Sequence, residues 1–273
     1  MGGSSSQPWR SLPESKECLD FVKSYKPQNK EVKHLRILLH GPVGAGKSNF
    51  INSVDSVLQG RVTGRALTDA TSGKSFTKKY TTYKIRKDQI TFYSIIFNDI
   101  MGFEDDTNNG IHVDDVKLAL MGHVKEHYEF TPGKQLMKDD EGYNSCPTLD
   151  DKVHVLLSVV PVSSISILSE RVLKKMREVR LAASEMGIPQ LTVLTKVDEA
   201  CPKAKKNLKD VYVSEYLKEM VEKFSMLVGI PVNCIFLVKN YNSEVQINDQ
   251  INAQILCALR QIVTFGEDYL NNL

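Results

Sequence analysis

The sequence lacks the patterns that mark several large classes of protein. No apolar run approaches the roughly 18 residues that a membrane-spanning helix needs, and there is no hydrophobic signal region. The five cysteines are scattered and form no CxxC pair, which argues against a zinc site and against a disulfide framework. A formal net charge of +2 over 273 residues is too small for a nucleic-acid binder held mainly by a basic surface. We therefore expect reduced thiols, a cytosolic protein and no nucleic-acid partner.

The first six residues, MGGSSS, leave two alternatives open. Gly2 with serine at position 6 fits the pattern for N-terminal myristoylation. The alternative is a flexible leader or a cloning scar. One acyl chain gives only reversible attachment, so we expect a membrane partner only if Gly2 is acylated.

Composition divides the chain into a tail and one domain. Residues 1–33 are predicted to be an N-terminal tail with a short amphipathic helix over 14–25, which Pro27 ends. Residues 34–273 are predicted to form the domain. Within it, the polar segment 128–150 contains two prolines and two glycines and is predicted to be an inserted loop.

Apolar runs and amphipathic stretches alternate through the domain. The strand-like runs are 35–40, 79–86, 90–97, 153–160, 191–195 and 234–238. The stretches with helical spacing are 47–58, 113–127, 165–186, 211–227 and 247–269. The second and third strand-like runs are joined by three polar residues and indicate an antiparallel hairpin. The pattern predicts an α/β fold, a doubly wound, mostly parallel sheet with one antiparallel hairpin strand in three αβα layers, which binds ligands at the carboxyl ends of its strands.

The segment Gly41–Ser48, GPVGAGKS, matches the phosphate-loop pattern GxxxxGK[ST] in full. It follows a strand-like run and opens a helical one, which is the context that a phosphate loop requires. Its glycines allow successive backbone N–H groups to curl around a β-phosphate, and the helix that begins here points its positive end at the same group. Lys47 is predicted to contact the β- and γ-phosphates, and Ser48 to coordinate Mg²⁺.

A second motif, Asp99-Ile100-Met101-Gly102, ends the hairpin. A carboxylate at a strand tip beside a phosphate loop can hold Mg²⁺, usually through water. Gly102 can place its backbone N–H against a γ-phosphate. DxxG alone is a weak signal, and its position one hairpin after the phosphate loop strengthens it.

A third motif, Thr195-Lys196-Val197-Asp198, follows a later strand-like run. The Asp198 carboxylate can accept hydrogen bonds from the N1–H and 2-amino groups of guanine, a pair that adenine does not offer. A buried carboxylate left unpaired by the wrong base costs several kcal/mol in the general case, about 1–3 or more. The Lys196 stem can lie flat on the base.

The three motifs, in this order, resemble those of P-loop G domains, the GTPases of the translation-factor-related class. The wider sequence is similar to the interferon-induced protein 44 family, including its 44-like members. This similarity is carried by the segments LRILLHGPVGAGKSNFINSV, YTTYKIR, TKVD, KNYNSE (Lys239–Glu244), Pro8–Arg10 and SYKP (Ser24–Pro27). The resemblance implies an interferon-responsive, cytoplasmic protein with a role in antiviral defence.

Two further contacts follow from the GTPase resemblance. These enzymes need a threonine before the hairpin to contact Mg²⁺ and the γ-phosphate, and Thr68, Thr71 and Thr77 are available. We favour Thr77, because it lies a few residues before the strand, as in septin-type and immunity-type GTPases. After the last strand, Asn240 or Tyr241 is placed to give a backbone N–H to guanine O6.

The sequence departs from that of efficient small GTPases at two positions. Phe103 follows the DxxG glycine, where those enzymes keep a glutamine that orients water. Val43 stands in the phosphate loop where they keep a glycine, and its branched side chain would crowd an incoming arginine. Both changes predict slow intrinsic hydrolysis. Water could instead be positioned by a residue of a dimer partner or by one of the nearby polar residues Glu104, Asp105, Asp106 and His112.

We therefore expect a guanine-nucleotide-binding protein with slow hydrolysis, or hydrolysis that depends on a partner or a dimer, and with switch segments at 60–78 and 99–112. The predicted nucleotide contacts are Gly41, Val43, Gly44, Ala45, Gly46, Lys47, Ser48, Asn49, Gly102, Thr195, Lys196, Asp198 and Asn240. The predicted metal contacts are Ser48, Thr77 and Asp99, and the predicted catalytic residues are Lys47 and Thr77. The alternatives are a non-catalytic nucleotide-binding scaffold and an ATP-using P-loop kinase or ATPase, which TKVD disfavours.

Overall fold

The computed structural model describes residues 7–66, 78–105 and 109–273. The strands found there are β1 Leu35–His40, β2 Thr81–Arg86, β3 Phe92–Asp99, β4 Val155–Pro161, β5 Gln190–Thr195 and β6 Ile235–Leu237. They form one sheet in the order β2-β3-β1-β4-β5-β6. Neighbours are parallel except β2 and β3, which pair as the predicted antiparallel hairpin. The predicted fold class is confirmed.

Helices cover both faces of this sheet. They are α1 Ser15–Ser24, α2 Lys47–Gln59, α3 Val113–Leu120, α4 Glu170–Glu185, α5 Val197–Ala200, α6 Pro202–Lys206, α7 Glu215–Val228 and α8 Asp249–Asn271. One apolar cluster, which includes Phe50 and Ile255, joins α1, α2 and α8 to one face. A second cluster, which includes Met176 and Phe224, joins α3, α4 and α7 to the other face. Within the described ranges, no helix has both the length and the apolar content to cross a membrane.

The central strand β1 explains the absence of polar alternation in its sequence. Ile37 is paired in register with Phe97 of β3 on one side and with Val155 of β4 on the other. Side chains of β1 enter both apolar clusters, so every position except Arg36 is buried. The loops that follow β1 and its parallel neighbours consequently meet at one edge of the sheet, where ligands bind in this class of fold.

Three helices are shorter than the apolar spacing predicts, because capping residues set their ends. α4 begins after Ser169 and α7 after Ser214, whose hydroxyl groups accept hydrogen bonds from backbone N–H groups three residues later. α3 ends at Leu120, and Gly122 follows with a φ of +81°. The predictions that helices extend over 113–127, 165–186 and 211–227 were too long for these local reasons.

The outer edge of β2 is occupied by side chains from other parts of the chain. The N–H of Thr82 donates to the Glu126 carboxylate at 2.8 Å. The carbonyl of Lys84 accepts from the guanidinium of Arg65 at 3.0 Å. Backbone groups that would be open on an edge strand are therefore paired at these positions.

The opposite edge, β6, is covered by the N-terminal segment. The guanidinium of Arg10 donates to the carbonyl of Ile235 and lies 5.3 Å from the ring centre of Trp9. The N–H of Leu237 donates to the hydroxyl of Tyr212 at 3.1 Å. Trp9 in turn packs edge-on against Tyr212, with 4.9 Å between ring centres. The segment before α1 is thus attached to the domain.

Candidate functional site

The loop between β1 and α2 has the backbone conformation of a phosphate loop. The φ values of Gly41, Gly44 and Gly46 are +145°, +73° and +89°, which residues other than glycine rarely adopt. A Cβ atom at Gly41 would lie 2.1 Å from the Val159 carbonyl oxygen. α2 begins at Lys47, directly after this loop, so its first N–H groups point to the region that the loop encloses.

Lys47 and Ser48 meet the end of β3 beneath this loop. Because Leu39 of β1 is paired in register with Asp99 of β3, the two strand ends are adjacent. The Ser48 hydroxyl donates to the Asp99 carboxylate at 2.6 Å. The Lys47 ammonium is 3.4 Å from the Pro42 carbonyl oxygen. Burial lowers the pKa of Lys47, and the nearby Asp99 charge opposes that shift.

The DxxG segment is bonded to the phosphate loop through its backbone. The N–H of Phe103 donates to the Gly41 carbonyl at 2.9 Å, and the N–H of Val43 donates to the Phe103 carbonyl at 3.2 Å. A Cβ atom at Gly102 would lie 2.7 Å from the Val43 nitrogen, so only glycine allows this approach. The backbone N–H of Val43 is therefore already engaged by Phe103.

The side chain of Phe103 points into the protein interior. It is 1% exposed and belongs to the apolar cluster beneath α3 and α4. Its ring packs edge-on against His40, with 5.8 Å between ring centres. The position after Gly102 thus contributes to the core, a role that the sequence comparison with small GTPases did not indicate.

The TKVD segment and the loop after β6 are joined to the phosphate loop at two successive carbonyl groups. The buried Thr195 hydroxyl donates to the Ala45 carbonyl at 2.7 Å, and the Asn240 amide donates to the Gly46 carbonyl at 3.2 Å. Lys196 has a φ of +58°, a rare conformation for a non-glycine residue. The structure therefore brings the phosphate loop, TKVD and the loop after β6 to one place.

Sequence reasoning missed two charged residues beside Asp198. The Lys239 ammonium lies 3.4 Å from the Asp198 carboxylate and 2.5 Å from the Glu244 carboxylate. Burial would lower the pKa of Lys239, but its hydrogen bond to Glu244 and the charge of Asp198 outweigh that effect and raise it. The sequence signal was the pair of Lys239 and Glu244 at the two ends of KNYNSE. That segment contributed to the family resemblance, but neither residue was given a function.

Other predicted residues have different positions. Tyr241 gives its backbone N–H to the Ser53 hydroxyl at 2.9 Å, which leaves Asn240 as the residue of this pair predicted to face guanine. Asn49 is half-buried in the first turn of α2. Thr68, Thr71 and Thr77 lie outside the described residues, as does Asp106.

Of the polar residues considered for water positioning, the three that the structure describes have contacts within the domain. His112 caps α3 by accepting from the Asp114 N–H at 3.4 Å. Asp105 accepts a hydrogen bond from Ser169, the cap of α4. The Glu104 carbonyl accepts from Lys175 at 2.8 Å. The contacts of Asp105 and Glu104 attach the DxxG loop to α4.

Comparison with curated proteins gives the relatives of this chain. Interferon-induced protein 44 of Mus musculus is 33% identical over 256 residues, which are 93% of this chain and 60% of that protein. The chain is a relative of interferon-induced protein 44. Interferon-induced protein 44-like of Homo sapiens is 32% identical over 92% of this chain and 56% of that protein. The resemblance expected from the sequence is confirmed, although the chain spans under two thirds of the length of these relatives.

One solved structure supports the fold independently of sequence. Toc33 from Arabidopsis thaliana, in a crystal structure in complex with GDP and Mg²⁺, aligns with a TM-score of 0.51 and 14% sequence identity. The alignment covers 96% of this chain and 93% of that chain. No protein-family model matches the sequence.

Proposed function

We propose that this protein binds guanine nucleotide with Mg²⁺ and hydrolyses GTP slowly. The observation that carries the proposal is the contact between Thr195 and Ala45, which joins the guanine-specific motif to the phosphate loop. A nucleotide whose phosphates lie in Gly41–Ser48 would have its base beside Asp198, because both segments follow parallel strands, β1 and β5, whose carboxyl ends lie at the same edge of the sheet.

The residues beneath the phosphate loop fit a magnesium ion. Ser48 and Asp99 provide hydroxyl and carboxylate oxygens in direct contact with each other, and such oxygens are the ligands that Mg²⁺ prefers. When bound, the ion would neutralise charge on the phosphate oxygens. Thr77 is proposed as a further ligand and as a catalytic residue. Toc33, which shares the fold, was crystallised with GDP and Mg²⁺.

Lys47 is proposed to act as the cation for the β- and γ-phosphates. The residue is 7% exposed, and its ammonium lies 3.4 Å from the Pro42 carbonyl oxygen. A buried cation beside backbone N–H groups of a helix start favours a multiply charged anion. Gly102 and Asn49 complete the proposed contacts around the phosphates.

Slow hydrolysis is proposed from the position of Phe103. Its side chain is buried and its backbone is bonded to Gly41 and Val43, so this position offers no group that could orient a water molecule. Turnover would then need a partner or a second copy of the chain to supply one. The same rigid connection favours a second candidate, a nucleotide-binding scaffold in which the segment 99–105 does not respond to the γ-phosphate.

The biological setting is proposed from the relatives. Interferon-induced protein 44 and its 44-like relative are named for their induction by interferon, and we propose a cytoplasmic role in interferon-linked antiviral defence, with GTP and GDP as alternating ligands. The longer length of those relatives means that their whole activity is carried over only as a proposal.

The test is titration calorimetry with GDP, ADP and xanthosine diphosphate in the presence of Mg²⁺. We expect GDP binding and weak ADP binding. Lys47→Ala should reduce GDP affinity by about 100-fold or more, because a charge-assisted contact is lost. Asp198→Asn should move the preference from GDP to xanthosine diphosphate. Lys174→Ala, on the exposed side of α4, is the control and should bind GDP as the unchanged protein does.

Two results would contradict the proposal. Equal affinity for GDP and ADP would show that the site is not specific for guanine. An unchanged GDP affinity in Asp198→Asn would show that the carboxylate does not recognise the base. A sizing experiment with GDP and with a slowly hydrolysed GTP analogue separates the two candidates. A nucleotide-dependent change in size supports the switch, and its absence supports the scaffold.

A further inference from the structure

The loop after β6 is braced at both of its ends. The backbone N–H of Lys239 donates to the Gln254 side chain of α8 at 2.8 Å. Gln254 is 1% exposed, and its amide nitrogen donates to the Leu208 carbonyl at 3.3 Å. The Glu244 carboxylate accepts from the Asn242 N–H at 3.0 Å. The backbone of Lys239 is therefore held in place by a contact with a buried side chain.

The side chain of Lys239 is fixed as well. Its ammonium lies 2.5 Å from the Glu244 carboxylate and 3.4 Å from the Asp198 carboxylate. The exposed fractions of the three side chains are 21%, 20% and 26%, respectively. Because water reaches these charges only partly, the ion pairs are screened less than those on an open surface.

An ionised carboxylate offers about four lone-pair positions. Guanine uses two hydrogen bonds, from N1–H and from the 2-amino group, so one further contact from Lys239 does not exclude the base. The contact instead limits rotation of the Asp198 side chain. Since hydrogen-bond strength falls steeply with misalignment, a carboxylate held in one orientation discriminates better between bases than one that rotates.

We propose that Lys239 is the positioning residue of the base site, which holds the Asp198 carboxylate in the orientation that recognises the 2-amino group of guanine. This inference rests on the proposed guanine-nucleotide binding. Glu244 acts through Lys239 by anchoring its ammonium. Without Lys239, Asp198 and Glu244 would be neighbouring carboxylates whose repulsion turns Asp198 away from the base.

The experiment compares GDP with inosine diphosphate, whose base lacks only the 2-amino group. The unchanged protein should prefer GDP by roughly tenfold, the size of one hydrogen bond to a charged group. Lys239→Met keeps most of the side-chain volume and removes the charge. It should reduce that preference to about twofold or less, as expected when one such contact is lost.

Two further variants sharpen the result. Lys239→Arg keeps a cation that can reach both carboxylates and should retain most of the GDP preference. Lys174→Met removes a lysine from an exposed ion pair with Glu178 on α4 and should leave the preference unchanged.

The possible failures are distinguishable. If the unchanged protein binds neither diphosphate, the proposed function is wrong and the role of Lys239 with it. If it prefers GDP and Lys239→Met prefers GDP equally, the proposed function stands and the positioning role is wrong. If Lys239→Met lowers both affinities by the same factor and also lowers the melting temperature, the residue supports the loop alone, and the positioning role is again wrong.

Discussion

The hydroxyl of Thr195 and the carbonyl of Ala45 form a 2.7 Å hydrogen bond between two segments that are 150 residues apart in the chain. Both residues are fully or almost fully buried. The bond connects the end of β5 to the middle of the phosphate loop. The side chain of Thr195 thereby connects the proposed base site to the proposed phosphate site.

Replacing Thr195 tests this coupling. Thr195→Val keeps the shape but leaves a buried carbonyl without its donor, so we expect the free energy of unfolding to fall by about 1–3 kcal/mol and GDP affinity to fall by roughly tenfold. Thr195→Ser retains the hydroxyl and should keep the GDP affinity. Calorimetry and urea unfolding measure both. Equal behaviour of the valine and serine variants would show that the bond has no such role.

Two glycines of the phosphate loop should differ in their tolerance of alanine. Gly41→Ala would place a Cβ atom 2.1 Å from a backbone oxygen and should lower the free energy of unfolding by about 3 kcal/mol or more. Gly44→Ala has open space, with no atom within 4 Å. It should cost only the strain of a positive φ, about 1–2 kcal/mol. Thermal unfolding of both variants checks the order, and a Gly44 variant that is the less stable of the two would contradict it.

A glutamine at position 103 should not create an efficient GTPase. Phe103 is buried against His40, so Phe103→Gln would place an amide in the core rather than beside a phosphate. We expect a loss of about 3 kcal/mol in the free energy of unfolding and no gain in turnover. Phosphate release and urea unfolding, measured on the same preparation, give the answer. Faster hydrolysis at unchanged stability would mean that this side chain can face the nucleotide.

Acid should destabilise the fold through two buried imidazoles. Burial lowers the pKa of His40 from 6.5 to about 3, with a further contribution from the Lys47 charge. Burial also lowers the pKa of His154 from 6.5 to about 4. The Nδ1 atom of His154 accepts from the Arg36 N–H at 2.9 Å, while its Nε2 atom faces the Leu149 carbonyl at 3.0 Å, which requires the neutral ring.

The direction of the pH effect follows from these shifts. In the unfolded chain these two histidines take up protons below about pH 6.5, and in the folded chain they stay neutral down to about pH 4. Their contribution to stability is therefore constant above pH 6.5 and falls towards pH 4. Each histidine should contribute about 1.4 kcal/mol per pH unit. His154→Asn keeps an acceptor and a donor but does not titrate here, and it should remove one proton from the slope of urea-unfolding free energy against pH. A slope equal to that of the unchanged protein would be inconsistent with a neutral His154.

The sequence predicts the parts of this molecule that depend on neighbours in the chain. The strand-like run before Gly41, the helix after it and the β2–β3 hairpin were all recognised, because periodicity and loop composition are local. Helix starts were predicted less accurately. The apolar spacing begins several residues before Ser169 and Ser214, whereas the helical backbone begins only after these two residues. The capping hydroxyl group determines where the first helical turn begins, and the spacing of apolar residues does not indicate its position.

The contacts of Lys239 and Phe103 could not be predicted from the sequence. Lys239 reaches Asp198 only because β5 and β6 are neighbours in the sheet, and no local pattern contains that pairing. The missing hydrogen-bonding group of Phe103 was clear from the sequence. Its inward direction was not, because it follows from the backbone bonds to Gly41 and Val43.

The covering of both sheet edges limits how copies of this chain can associate. Arg10 and Tyr212 occupy backbone positions on β6, and Glu126 and Arg65 do so on β2. Adding a strand from another molecule would first require breaking these bonds, so growth into fibres by continuation of the sheet is disfavoured for the folded protein. Any pair of copies that nucleotide brings together must therefore meet through helices or loops.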